Sequence, residues 1–198
     1  LDQGKIGHHQ YSYAYEETNT FMTIKQQAVA RAMIAGLGLA ILAAVLAIIV
    51  NPFAYTEGLS LADRLTTGLN SALIPISFLA IAIGRLAKHR FFSPEDIDGA
   101  GLSKSSDRAK LLQALLQNTL EQSVLATAVY LAASIALPAP WLSVVPVAAI
   151  LHGLGRALFF WGYEKGAGGR AFGFTLCFYP TLVMLVIVAG HMTRTALC

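Results

Sequence analysis

Charge is what this sequence has least of. Only 13% of its 198 residues are Asp, Glu, Lys or Arg, against 56% hydrophobic, and its mean hydropathy is +0.59. That balance lies well outside the soluble globular range. Cysteine is almost missing too: Cys177 falls inside an apolar run and Cys198 at the end, so there is no disulfide framework and no thiol metal or redox spacing. His8 and His9 are adjacent but have no further ligands nearby, which fits a polar tail better than a metal site. The first 25 residues lack the basic-then-apolar order of a cleaved signal peptide, so none is expected. The apolar stretches lack the period-two alternation of a membrane barrel. A small cation excess, 14 Lys and Arg to 11 Asp and Glu, is scattered between apolar runs rather than gathered on one face, which argues against nucleic acid.

What the sequence has is length of apolar run. Ala32–Val50, Thr66–Gly84, Leu111–Leu137, Pro140–Gly155 (its helix continuing to Tyr163) and Ala171–Gly190 each approach or reach the roughly 20 residues a helix needs to cross a hydrocarbon core. Pro75 sits inside the second, where neighbouring helices can cover the freed backbone group. The expectation is an all-α membrane protein with five spans. Residues 1–29 read as a polar tail, and 30–63 as a first transmembrane helix with its loop.

The connections differ in sign. The 85–110 stretch carries Arg85, Lys88, Arg90, Lys104, Arg108 and Lys110, and the 164–170 turn carries Lys165 and Arg170. The 51–64 connection has Glu57 and Asp63 against Arg64, and the 138–141 turn has no charge. The positive-inside bias places the N-terminus and both basic connections in the cytoplasm and the C-terminus outside, the periplasmic side for a bacterial inner membrane. Ser105 or Ser106 is placed to cap the third helix, with Asp107 in its first turn.

Two polar stripes interrupt the apolar runs. At about 100° per residue, His152, Arg156, Phe159 and Tyr163 fall within roughly 60° of one another near the end of the fourth span. Snorkelling and aromatic anchoring at the interface would account for such a stripe. On the third span Lys110, Gln113, Gln117, Asn118 and Glu121 occupy an arc of about 140°, opposite leucines. A carboxylate this deep in an apolar helix is expected to face the bundle interior and to have a partner, for which Arg156 and Arg170 are the candidates. Gly168–Gly169 are expected to turn the backbone ahead of Arg170. The stripes read either as a polar clamp that fixes helix packing or as a pocket for an anionic, amide-rich ligand.

Asn118-x-x-Glu121 on the third span, followed by Arg156, Gly162–Tyr163 and Arg170 around the next cytoplasmic turn, resembles the MAPEG family. These are membrane-associated proteins of eicosanoid and glutathione metabolism, among them the microsomal glutathione transferases. The resemblance covers roughly residues 64–195. It implies a four-helix subunit (64–198) preceded by one extra transmembrane helix, which could recruit a larger membrane complex, and it implies a homotrimer binding glutathione near the cytoplasmic side. It further implies that Asn118, Glu121, Arg156 and Tyr163 bind glutathione and that Arg170 faces the sulfur. The activity implied is transfer of glutathione to a lipophilic electrophile, or reduction of a lipid hydroperoxide, without a metal. This sequence departs from the family pattern at Ala114 and Gln122, where a basic and an aromatic residue are frequent, and at Phe159, where a tyrosine is. A non-enzymatic lipid-binding or accessory role is the alternative.

Overall fold

The computed structural model describes residues 22–99 and 104–197. The expectation for the polar tail, with His8 and His9, lies outside the described residues. Among those described there is no strand, and the helices are α1 (Ile24–Val50), α2 (Leu61–Phe92), α3 (Asp107–Ala136), α4 (Val144–Gly162) and α5 (Gly166–Leu197). Short 3-10 turns at Ala139–Trp141 and Tyr163–Lys165 flank α4. Three helices, α1 to α3, are long and apolar enough to cross a membrane, as is the continuous stretch Ala139–Leu197 that holds α4 and α5. The protein is an integral membrane protein by this measure.

The helices outrun the apolar runs, because hydrogen bonding continues until a cap or a turn stops it. The first begins at Ile24 rather than near residue 30, where Thr23 and Gln26 form a reciprocal capping box. The second begins at Leu61 with a capping box between Ser60 and Asp63, and passes through Pro75 without a break. Pro75 is buried, and Ser123 Oγ of α3 donates to its carbonyl at 2.9 Å. Ser106 caps α3, its Oγ accepting from Ala109 N at 3.1 Å, with Asp107 in the first turn.

The direction of each helix follows from close approaches. Gly155 of α4 faces Cys177 of α5, and Gly162 meets Gly169, so these two helices form an antiparallel hairpin. A Cβ at Gly155 would lie 2.6 Å from Cys177 Sγ and 2.8 Å from Gly173 O, so the absent side chain is what lets the backbones close. Helix α1 runs parallel to α5, with Ala28 beside Gly168 and Gly36 packed against Thr175. Arg90 at the end of α2 donates to Gln113 Oε1 of α3 at 3.2 Å, and Arg108 of α3 pairs with Glu164 in the turn after α4. The start of α1, the end of α2, the start of α3 and the α4–α5 turn therefore share one end of the bundle, the basic end.

The opposite end is tied by a polar network. Asn51, in the left-handed conformation that ends α1 (φ 45°), accepts from Ser143 Oγ at 2.6 Å and from Tyr55 N at 3.2 Å. Arg64 Nη1 donates to Leu137 O at 2.7 Å, closing the end of α3. The apolar core between the two ends is built from small side chains such as Ala126, Ala133, Val145 and Ala149 around Tyr130 and Leu142.

Candidate functional site

Toward the basic end a cavity of about 600 Å³ opens between α3 and α5, with α4 as its floor. Asn118 and Glu121 reach it from α3, Tyr163 from the end of α4 and Arg170 from the first turns of α5. Apolar and aromatic groups, Phe159, Phe174 and Phe178 among them, make most of the remaining wall. Concave, mainly apolar sites with a few convergent polar groups are the usual form of a small-molecule pocket.

The Arg170 guanidinium lies 4.6 Å from the centroid of the Tyr163 ring, a cation–π contact that fixes it on the wall. It makes no ion pair among the described residues. The backbone that aims it differs from expectation. The turn residue is Gly166, whose φ of +82° favours glycine, whereas Gly169 serves a close approach to Gly162 O and Lys165 Cβ.

Arg156 is placed otherwise. It is fully buried (0% exposed) and is not among the residues lining the cavity. It stands behind the wall: Nη1 donates to Asn118 Oδ1 at 3.0 Å and to Thr119 Oγ1 at 3.4 Å, and Nε to Cys177 Sγ at 3.1 Å. Its guanidinium carbon sits 4.4 Å from the centroid of the Phe159 ring. Because its partner is the Asn118 carbonyl oxygen, Arg156 leaves the Asn118 amide N–H₂ to point at a ligand. His152, from the same stripe, is fully buried and its ring nitrogens have no partner among the described residues.

Glu121 also departs from expectation. It is exposed at the cavity rather than buried in the bundle, and among the described residues it pairs with neither Arg156 nor Arg170. Among the described residues its side chain accepts one hydrogen bond, from Gln117 Nε2 at 2.9 Å. The buried face of α3 is instead Leu112, Leu115, Thr119, Gln122 and Ala126. Of the polar arc, Lys110, Gln117 and Glu121 are exposed, while Gln113 and Asn118 are half-buried and bonded to Arg90 and Arg156.

Sequence reasoning missed Thr119 and Cys177 as supports of Arg156, and Val29 and Met33 of α1 as cavity wall. Thr119 was visible as the one hydroxyl on the leucine side of α3; the others gave no signal, being ordinary members of apolar runs. Among the described residues no cluster of His, Cys, Asp and Glu could hold a metal ion.

Membrane-length helices around a mainly apolar cavity with a few convergent polar groups near the basic end define the class. The family model described as MAPEG family matches residues 65–190, and the chain belongs to the MAPEG family, membrane proteins of eicosanoid and glutathione metabolism. No curated protein and no solved structure matches the chain. The matched stretch begins in α2, leaving α1 outside it.

Proposed function

We propose that this chain is a glutathione-dependent transferase or peroxidase acting on lipophilic electrophiles or lipid hydroperoxides, with Arg170 stabilising the glutathione thiolate. The observation that carries the reading is the single cavity in which Asn118, Glu121, Tyr163 and Arg170 meet an aromatic wall. Asn118 and Glu121 are one helical turn apart and can hold the peptide and amino ends of one molecule. Arg156 acts through Asn118, as a positioning residue.

A thiol of ordinary acidity is only a few per cent thiolate at neutral pH, and an adjacent guanidinium favours the anion. Arginine keeps its own proton, so Arg170 stabilises charge and does not act as a base. In transfer, the sulfur lone pair forms a carbon–sulfur bond and the leaving group departs with the electron pair of the bond it loses. With a hydroperoxide, sulfur takes the terminal oxygen and the alcohol leaves with a proton. A second glutathione then closes the disulfide and releases water.

The assembly follows from the same face of α3. A carboxylate turned toward lipid is expensive, and Glu121 and Gln117 are both exposed there; a second copy laid against this face would cover them, in keeping with a homotrimer. Division into 1–29, 30–63 and 64–198, five crossings, and an orientation with the basic end in the cytoplasm complete the proposal. The grouping of Arg90, Arg108, Lys110 and Lys165 at one end supports that orientation.

The lipid-binding or accessory reading has one observation in its favour: Ala114 and Phe159 line the cavity without a side-chain polar atom, so among the described residues Arg170 is the only cation on its wall. Mixing the purified protein with glutathione separates the two. A thiolate band near about 240 nm together with turnover supports the enzyme. Absence of any glutathione binding supports the lipid-binding protein.

A further inference from the structure

The cavity has a wall that the family match does not include. Val29 and Met33 of α1 line it, although the matched residues begin at 65. This helix is not loosely laid on. Thr175 Oγ1 donates to Ala32 O at 3.1 Å, and Gly36 packs directly against Thr175. Thr175 is itself a lining residue, so α1 is fastened to the cavity's own rim.

Beyond that rim lies a second cleft of about 270 Å³, along the turns of α1 between Met22 and Met33. It shares Val29, Met33 and Ala167 with the main cavity, so these side chains border both spaces. From Met22 to Met33 the chain advances eleven steps, about 16 Å of length at ~1.5 Å per residue. The main cavity can hold a compact ring, but a compact ring cannot extend along the cleft. A straight aliphatic chain can occupy both spaces. Among the described residues the lining of the cleft is apolar except for Lys25 and Gln26.

We infer that α1 is a specificity wall, Val29 and Met33 forming the sill over which the aliphatic chain of the acceptor substrate passes from the sulfur side into the α1 cleft. The inference rests on the glutathione reading and narrows it. The preferred electrophile carries a linear hydrocarbon chain and is admitted by a helix that lies outside the matched stretch. Met33 is the decisive position, because it borders both spaces and is 45% exposed, so a larger side chain there fills the sill without disturbing a core.

The probes are S-methyl-, S-butyl- and S-octylglutathione, titrated calorimetrically against the full-length protein in detergent. Each added methylene that finds apolar cover should tighten binding by roughly two- to fourfold. Met33→Trp should abolish this dependence on chain length, and Ala30→Trp, at a position that lines the cleft but not the main cavity, should abolish it while leaving S-methylglutathione affinity within about twofold. Ile34→Trp serves as the control, since Ile34 is 74% exposed on the same helix and lines neither space, and it should keep the dependence. If the dependence survives Met33→Trp, or is lost equally in Ile34→Trp, the chain does not pass over this sill and the inference fails. If S-methylglutathione binds but longer chains add nothing in the wild type, the glutathione reading stands and the α1 slot is wrong. If none of the three conjugates binds, the glutathione reading falls and takes the slot with it.

Discussion

The polar residues that line the cavity are used differently from those that tie the far end of the bundle. At the end where α1 stops and α4 starts, polar groups answer one another. Asn51 engages Ser143 and Tyr55, and Arg64 closes on the Leu137 carbonyl. Around the cavity Arg170 rests on a ring, Glu121 bonds only Gln117 among the described residues, and both line the wall. Polar groups whose bonds are complete within the chain hold structure, and those left with capacity beside a cavity are available to a ligand. Arg156 joins the two kinds, being buried like the first and bonded to a residue of the second.

That intermediate position gives the largest expected effect. Arg156→Ala should lower stability by about 3 kcal/mol, through the cavity it leaves and the Asn118 and Thr119 partners it strands. Arg156→Met restores volume without the donors. It should recover most of the thermal stability while glutathione affinity stays about tenfold weaker, because Asn118 is no longer held. Full affinity in Arg156→Met would show that Asn118 does not depend on Arg156.

The closed end should respond in stability alone. Asn51→Ala removes the bonds to Ser143 and Tyr55 and puts alanine at φ 45°, a conformation unfavourable to it. A loss of about 2 kcal/mol in thermal unfolding is expected, with glutathione affinity unchanged. A matching loss of affinity would break the separation between the ends.

The smallest effect concerns the loop that leads into α3. Asp96 is buried there, its Oδ2 accepting from Ser106 Oγ at 2.6 Å and its Oδ1 from Ser106 N at 2.8 Å. His89 Nε2 lies 2.9 Å away. The Ser106 bonds, with His89 contributing less, hold the Asp96 carboxyl below the usual carboxylate range. A folded-state pKa below the unfolded value gives stability that is full above the unfolded pKa, about 3.9, and is lost as pH falls through the folded value. The melting temperature of wild type should therefore exceed that of Asp96→Asn near neutral pH, and the gap should close as pH drops below about 4. A gap independent of pH would mean that the Asp96 charge contributes nothing.

How much of this was legible in the sequence depends on what each residue signals. Ser106 and Asp107 announced the start of α3, because a cap followed by an acid has a local cause. The apolar runs located the helices but not their ends: α2 extends to Phe92, and nothing in hydrophobicity stops a helix that the backbone can continue. The polar arc of α3 had the right members and the wrong direction. Periodicity gives the width of a face, whereas the side that packs was decided by Leu112, Leu115 and Thr119 meeting the other helices. The Arg156 stripe gave angle but not depth, so a residue behind the wall looked like one on it. Val29 and Met33 were illegible, since only the approach of α1 to Thr175 makes two ordinary apolar residues part of a cavity.

The central claim is that Arg170, the cation on the cavity wall with no carboxylate partner among the described residues, stabilises a bound thiolate. It is tested by thiolate absorbance at about 240 nm, recorded against pH for glutathione bound to wild type and to Arg170→Ala. Wild type should show the band at neutral pH. Arg170→Ala should show it only at higher pH, with turnover reduced about 10²-fold and glutathione affinity much less affected. Arg170→Lys should recover little, because a point charge does not reproduce the planar fork. The same band at the same pH in wild type and Arg170→Ala, with turnover intact, would contradict the account.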